Sequence, residues 1–288
     1  MRLSVEHTDA QLAAADGLVL LRRAWRPEGE PAAVLAVVHG YGEHGGRYRG
    51  LAEDMATRGC AAHVYDLRGH GRSGGRRGHL GRFGDYLDDT AVFLEAVREE
   101  EPGRPLYLLG HSLGGLIAAV FVEERPTDGL AGLILCSPFL RLGMPVPPLK
   151  LHAARVLSLV APALNIGNTL DPAGLSHDQD VVRAYGTDPL NHHVATARWA
   201  VEVVTAQSAA LSAAGRIRLP LLLLYGDADA VADPQAGREL FAAAGSTDKT
   251  VHRYEGYYHE IFNETGRDAV VADLAAWLAA REPAGTAG

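Results

Sequence analysis

Short apolar runs alternate with longer amphipathic segments over most of the chain. Near-continuous apolar runs are typical of strands covered on both faces of a parallel sheet, and they predict strands at residues 34–38, 61–65, 106–109, 130–135, 219–225 and 250–254. The amphipathic segments predict helices at residues 49–57, 86–100, 113–124, 234–244 and 268–281. This alternation predicts the α/β class, with a mostly parallel, doubly wound sheet.

Two segments interrupt the alternation. Gly17 lies between two extended runs near the start of the chain, which predicts an antiparallel hairpin at the sheet edge. Residues 138–215 contain no convincing strand, and five prolines fall between Pro138 and Pro162. We therefore expect a helical cap over residues 138–215, inserted into an α/β core formed by residues 1–137 and 216–288.

Composition narrows the function classes. The 288 residues carry a formal net charge of −8, which argues against nucleic-acid binding through a general basic field. Cys60 and Cys136 are too few to indicate a disulfide framework, so a reducing cytoplasm is the expected location. The first residues lack the charged start and apolar run of a signal peptide. Since no apolar stretch approaches the roughly 20 residues of a membrane span, no transmembrane segment is expected.

Two segments match the nucleophile pattern G-x-S-x-G, at residues 110–114 and 71–75. Ser112 follows an apolar strand and precedes an apolar helix, which is the strand–turn–helix context that a nucleophile elbow requires. Ser73 lies in a polar loop rich in glycine and arginine, with no helix start after it. The pattern therefore predicts Ser112 as the nucleophile and Ser73 as a loop residue.

A serine nucleophile needs a histidine base that is oriented by an acid, and in this kind of fold they follow in the order Ser, acid, His. His259 stands just beyond the strand predicted at residues 250–254. The loop after the strand at residues 219–225 offers three candidate acids, Asp227, Asp229 and Asp233. Position alone leaves the choice among these three open.

Acyl transfer also requires hydrogen-bond donors for the developing oxyanion. One predicted donor is the amide of Leu113, the residue directly after the nucleophile. The glycine-rich loop at residues 39–42 follows the strand at 34–38, and we assign the second donor to the amide of Tyr41. His39 is interpreted as a structural polar residue of that turn.

Several phrases together resemble the monoacylglycerol lipase and lysophospholipase group of α/β-hydrolases. They are HGYGEHGGRY at 39–48, DLRGHGRS at 66–73, GHSLGG at 110–115, DPL at 188–190, GDADAVAD at 226–233 and YEGYYH at 254–259. The match keeps the same order over residues 15–280. The resemblance implies the α/β-hydrolase fold, and it selects Asp229 as the acid of the triad.

The resemblance also implies which residues surround the alcohol part of a substrate. Glu43 keeps the glutamate of the HGxGEH phrase, and Arg47 and His111 match polar positions at the same end of the pocket. The mammalian monoacylglycerol lipases, which this chain resembles, have a second histidine three positions after the catalytic one. This chain has Phe262 at that position. One hydrogen bond to a glycerol group should therefore be missing.

These observations predict a serine esterase that hydrolyses monoacylglycerols or similar single-chain carboxylic esters through an acyl-enzyme on Ser112. The alternatives are a lysophospholipase, a general carboxylesterase or, in another class, a non-catalytic ligand receptor. A peptidase that releases N-terminal residues is disfavoured, because the cap has no acidic cluster to hold an amino group. No cofactor or metal is implied. The segment at residues 148–161 is largely apolar, and it either lines an acyl tunnel, contacts a membrane surface, or packs on the core as plain structure.

Overall fold

The computed structural model describes residues 4–143, 148–167 and 171–281. Within these residues, eight strands form a sheet in the order β1-β2-β4-β3-β5-β6-β7-β8. The strands are β1 Val5–Ala13, β2 Val19–Pro27, β3 Ala33–Val38, β4 Cys60–Tyr65, β5 Leu106–His111, β6 Leu130–Cys136, β7 Leu221–Gly226 and β8 Lys249–Tyr254. The strands from β3 to β8 pair in parallel, so their carboxyl ends meet at one edge.

The first two strands form the predicted antiparallel hairpin, and β1 lies at the sheet edge. Gly17 in the hairpin turn has a φ of 81°, a conformation that glycine adopts without steric strain. β2 then pairs antiparallel with β4, which joins the hairpin to the parallel strands. The prediction of a mostly parallel sheet with an antiparallel edge is confirmed.

Eight helices are described along the chain. They are α1 Arg49–Ala56, α2 Gly84–Glu100, α3 Leu113–Glu124, α4 Pro148–Val160, α5 Gln179–Thr187, α6 Ala197–Ala213, α7 Pro234–Ala243 and α8 Arg267–Ala279. Every strand and helix that the sequence pattern predicts is present, with bounds that differ from the prediction by no more than two residues.

Two hydrophobic layers cover the sheet. Val34, Ala36 and Val38 of β3 face a layer that includes α2, α3, α6 and α7. Leu35 and Val37 of the same strand face the opposite layer, which includes α1 and α8. Because alternate residues of a strand point to opposite faces, a central strand with both faces covered must be apolar throughout.

Strand β8 does not fit that description, and our interpretation of it as a near-continuous apolar run was wrong. Its sequence KTVHRY alternates between exposed and partly buried residues, and Val251 is 45% exposed. β8 pairs with β7 alone, at the opposite edge of the sheet from β1. An edge strand with one solvated face needs no continuous apolar run.

Helices dominate the interval between β6 and β7. It contains α4, α5, α6 and the short 3₁₀ helices Pro172–Gly174 and Ala214–Arg216. In its described residues, extended pairing is limited to two isolated bridges, Leu142 with Ala232 and Asn165 with Thr196. Throughout the described part of the chain, every helix is too short or too polar to cross a bilayer.

Candidate active site

Ser112 stands on a sharp turn between β5 and α3. Its φ of 53° and ψ of −117° are strained for a residue with a side chain. A side chain at Gly110 would approach the carbonyl oxygen of Gly114 to 2.2 Å, and one at Gly114 would approach that of Val38 to 2.0 Å. The glycines of the G-x-S-x-G phrase are therefore required by close backbone contacts, as a nucleophile elbow demands.

The backbone of Ser112 is fixed by the loop that follows the neighbouring strand β6. The Ser112 amide donates to the carbonyl of Cys136 at 3.1 Å, and the Ser112 carbonyl accepts from the amide of Phe139 at 2.9 Å. Ser137 between these partners also has a positive φ, 41°. Two strained residues on adjacent strand ends thus hold the elbow in place.

The hydroxyl of Ser73, the second match to the pattern, makes two hydrogen bonds to backbone groups. It donates to the carbonyl of Asp66 at 2.5 Å and accepts from the amide of Leu21 at 2.9 Å. These bonds join the loop after β4 to strand β2.

Asp229 and His259 are hydrogen-bonded beyond the ends of β7 and β8. The distance from His259 Nδ1 to Asp229 Oδ2 is 2.7 Å, and both side chains are buried. The second carboxylate oxygen of Asp229 accepts from the amides of Val231 at 2.8 Å and Ala232 at 3.0 Å. A proton that Nδ1 donates to Asp229 leaves Nε2 of the neutral ring unprotonated, as a general base requires.

The other two candidate acids have different partners. Asp227 accepts from the amide of Gly256 at 2.6 Å and pairs with Arg253 at 3.0 Å. Asp233 caps the first turn of α7 and pairs with Arg141 at 2.9 Å. The contact with His259 therefore favours Asp229.

Charges around His259 raise its pKa above the ordinary value of 6.5. Burial alone would lower the pKa, because it disfavours the charged ring. The negative charge and hydrogen bond of Asp229 outweigh that effect, and Glu260 and Glu43 act in the same direction. The surroundings of His259 therefore favour the imidazolium that forms when it accepts a proton.

The loop after β3 passes beside the nucleophile. A Cβ placed on Gly40 would lie 3.2 Å from the Cβ of Ser112. His39 is buried, with Nδ1 bonded to the carbonyl of Gly40 at 2.7 Å and Nε2 accepting from the amide of Leu67 at 2.9 Å. The Tyr41 hydroxyl donates to the carbonyl of Val194, and its ring packs on Trp199. These contacts fix the loop that carries the Tyr41 amide. Leu113, whose amide is the other assigned donor, is the first residue of α3.

The three residues assigned to substrate binding line the same small cavity. Its lining is Glu43, Arg47, Tyr48, Leu51, His111, Glu260, Phe262 and Asn263. The ring centroid of His111 is 4.9 Å from that of His259, and no hydrogen-bond partner is described for its buried Nδ1. Burial and the neighbouring His259 lower the pKa of His111 to about 4, so its ring is neutral at pH 7.

The sequence pattern predicted no role for Glu260, Tyr48 or Asn263, which also line the cavity. Glu260 pairs with Arg47, from which it is separated by 213 residues in the chain. Such a contact leaves no periodicity or spacing in the sequence, and the position of Glu260 directly after His259 was the only available signal. Among the described residues, no group of three or more His, Cys, Asp or Glu side chains is arranged to hold a metal ion.

Known proteins share this architecture and sequence. Residues 29–266 match the Hydrolase_4 family, described as serine aminopeptidase, S33. Monoacylglycerol lipase of Mycolicibacterium smegmatis is 31% identical over 96% of this chain and 98% of its own, and human monoglyceride lipase is 36% identical over 95% and 91%. The crystal structure of Paleococcus ferrophilus monoacylglycerol lipase is 32% identical, with a TM-score of 0.80 over 96% of this chain and 99% of that one. The chain therefore belongs to the S33 hydrolase family and, as its motifs indicate, to the monoacylglycerol lipase group of α/β-hydrolases.

Proposed function

We propose that this protein is a serine esterase that hydrolyses monoacylglycerols and similar single-chain carboxylic esters, with Ser112, His259 and Asp229 as its triad. The observation that carries this proposal is the 2.7 Å hydrogen bond between His259 and Asp229. It lies beyond the carboxyl ends of the parallel strands, as does the strained elbow of Ser112. The names of the relatives support monoacylglycerols as the substrate class.

Acylation begins when Ser112 Oγ attacks the ester carbonyl and His259 Nε2 takes the Oγ proton. The amides of Leu113 and Tyr41 donate to the resulting oxyanion, and one such donor contributes roughly 10²–10³ in turnover. The carbon–oxygen bond to the alcohol then breaks, and the alcohol leaves with the proton from His259. Water next attacks the acyl-enzyme, with His259 again as the base, and releases the fatty acid.

The cavity beside His111 is the place we propose for the alcohol part of the substrate. Glu43 and Arg47 form its polar wall, and His111, whose Nδ1 has no described hydrogen-bond partner, also lines it. Both lining carboxylates, Glu43 and Glu260, are paired with Arg47. An amino group would thus find no free carboxylate among the described lining residues, which favours an alcohol over the amine end of a peptide.

Residues 138–215 act, in this proposal, as a cap that contacts a membrane surface transiently from the cytoplasmic side. Leu149, Leu159 and Val160 of α4 are 79%, 77% and 74% exposed, whereas Ser158 is only 2% exposed. A helix that turns its apolar residues outward is suited to lie in a lipid interface. Exposed Lys150 and Arg155 on the same helix suit anionic head groups.

Steady-state kinetics on a matched substrate panel test the proposed function. The panel comprises mono-, di- and triacylglycerols of one acyl chain, lysophosphatidylcholine with the same chain, and nitrophenyl esters. We expect kcat/KM for the monoacylglycerol to exceed that for the triacylglycerol and the lysophospholipid. A clear preference for either of those two would reject the substrate class, and a Ser112→Ala variant supplies the background rate.

A further inference from the structure

Three charged side chains lie buried together beside His259. The side chains of Glu43, Arg47 and Glu260 are 4%, 10% and 5% exposed. Arg47 binds Glu260 with both terminal nitrogens, at 2.5 Å and 2.7 Å, and one of these nitrogens also binds Glu43 at 2.7 Å. A planar guanidinium can hold two carboxylates in a fixed mutual orientation in this way. We call these three residues the Glu–Arg–Glu bridge.

At one end, the bridge holds the loop that we assign to the oxyanion hole. Oε1 of Glu43 accepts from the amide of Gly40 at 2.6 Å and from the hydroxyl of Tyr48 at 2.8 Å. Gly40 directly precedes Tyr41, whose amide is the proposed donor to the oxyanion. A shift of the Glu43 carboxylate would therefore shift that amide.

At the other end, the bridge holds the loop of the catalytic histidine. Glu260 is joined to His259 by a peptide bond, and its own amide donates to the carbonyl of Leu175 at 2.8 Å. Oε2 of Glu260 also accepts from the side-chain amide of Asn263 at 2.9 Å. All four carboxylate oxygens of the bridge therefore have partners within the protein.

The charges of the bridge act on His259. Burial acts to raise the pKa of Glu43, but the positive charge of Arg47 and the hydrogen bond from the Gly40 amide act in the opposite direction, and the pKa is about 2. Two carboxylates and one guanidinium give the bridge one net negative charge beside His259. Both carboxylates act to raise the pKa of His259, in the same direction as Asp229.

We propose that Glu260 is a positioning residue that, through Arg47 and Glu43, fixes the catalytic histidine relative to the oxyanion loop. The inference rests on the triad and oxyanion residues assigned under the proposed function. It gives Glu43 and Arg47 a second task beside lining the alcohol cavity. It also gives a physical reason for the two buried carboxylates, since buried charges are unfavourable unless paired and hydrogen-bonded.

The Glu260→Gln variant of the full chain tests this proposal, because it keeps the shape of the side chain and removes its charge. We expect kcat for nitrophenyl butyrate to fall by roughly 10- to 100-fold, as when reacting groups are displaced by about 1 Å, while KM changes much less. We also expect the acid limb of the pH profile of kcat/KM to move to lower pH, because His259 loses a nearby negative charge. Structural loosening alone would not move that limb.

Asp89→Asn is the matched control. Asp89 on helix α2 is buried, and it accepts hydrogen bonds from Nε and one terminal nitrogen of Arg68, each at 2.6 Å. We expect this variant, like Glu260→Gln, to lower the melting temperature. Unlike Glu260→Gln, it should leave kcat and the acid limb unchanged. If Glu260→Gln does not fold, Arg47→Lys carries the test. A lysine keeps the charge but cannot bind both carboxylates in a fork, so kcat should fall while the acid limb stays in place.

Coupling between the two carboxylates supplies the decisive comparison. If the bridge acts as one unit, Glu43→Gln and Glu260→Gln together should cost little more in kcat than either change alone. Wild-type kcat and an unmoved acid limb in Glu260→Gln would overturn the proposal, and so would losses that multiply independently in the double variant. The wild-type rate on the same ester reports separately on the proposed function.

Discussion

At the scale of single residues, the proposed triad was inferred from two kinds of signal in the sequence. Ser112 and His259 were predicted from local context, because Ser112 directly follows a strand with glycines at the fixed positions of an elbow, and His259 lies in the loop after the last strand. Asp229 could not be separated from Asp227 and Asp233 by position, and the resemblance to known enzymes was needed. The structure favours the same residue through its bond to His259. The Glu–Arg–Glu bridge was beyond prediction, because its contacts join residues far apart in the chain.

We expect Asp229→Asn to reduce kcat by several orders of magnitude, about 10⁴ in a triad of another fold, because the amide favours the wrong histidine tautomer. Asp227→Asn and Asp233→Asn are the matched controls, since both aspartates lie in the same loop and bind other partners. Esterase kinetics on a soluble nitrophenyl ester make the comparison. A larger loss in Asp227→Asn than in Asp229→Asn would show that the acid is misassigned.

The pH dependence of hydrolysis should report the environment of His259. In the proposed mechanism neutral His259 is the base, so kcat/KM should rise as pH increases through the pKa of this ring in the free enzyme. Because Asp229 and the nearby glutamates raise that pKa, we expect the midpoint of the acid limb above 6.5. Removing the charge in Asp229→Asn should lower the midpoint. A wild-type midpoint below 6.5 would contradict the described surroundings of His259.

At the scale of elements, alternation in the sequence was sufficient for the order and bounds of strands and helices. It failed for β8, where a polar edge strand was taken for a buried one. It also could not determine the orientation of α4. Most of the circumference of this helix is apolar, so the pattern alone did not indicate that Ser158 would be buried and Leu159 exposed.

Helix α4 yields a prediction about lipid surfaces. We expect Leu159→Glu to weaken binding to anionic phospholipid vesicles by about tenfold or more, because burying one leucine side chain contributes roughly 1.5–3 kcal/mol. Hydrolysis of soluble nitrophenyl butyrate should be unchanged. Val251→Glu, at an exposed apolar position on β8, is the control and should bind vesicles like the wild type. Equal vesicle binding by all three proteins, measured by co-sedimentation, would show that α4 is not the contact surface.

At the scale of the whole molecule, the cavity that we propose for the alcohol part of the substrate bears on which esters are hydrolysed fastest. Phe262 is buried and lines the cavity, at the position where the family resemblance implies a second histidine. A lost neutral hydrogen bond is worth about 0.5–1.5 kcal/mol, which is a factor of roughly two to ten. We therefore expect kcat/KM for a monoacylglycerol to lie within about tenfold of that for a simple alkyl ester of the same chain. A monoacylglycerol preference of a hundredfold or more would contradict this reading of Phe262.

The central claim is that one serine, on the elbow between β5 and α3, carries the acyl group. Labelling of the intact protein with a fluorophosphonate, followed by peptide mass spectrometry, tests it most directly. We expect one adduct per chain, located on Ser112, with labelling lost in Ser112→Ala and retained in Ser73→Ala. An adduct on Ser73, or labelling that survives in Ser112→Ala, would contradict the assignment.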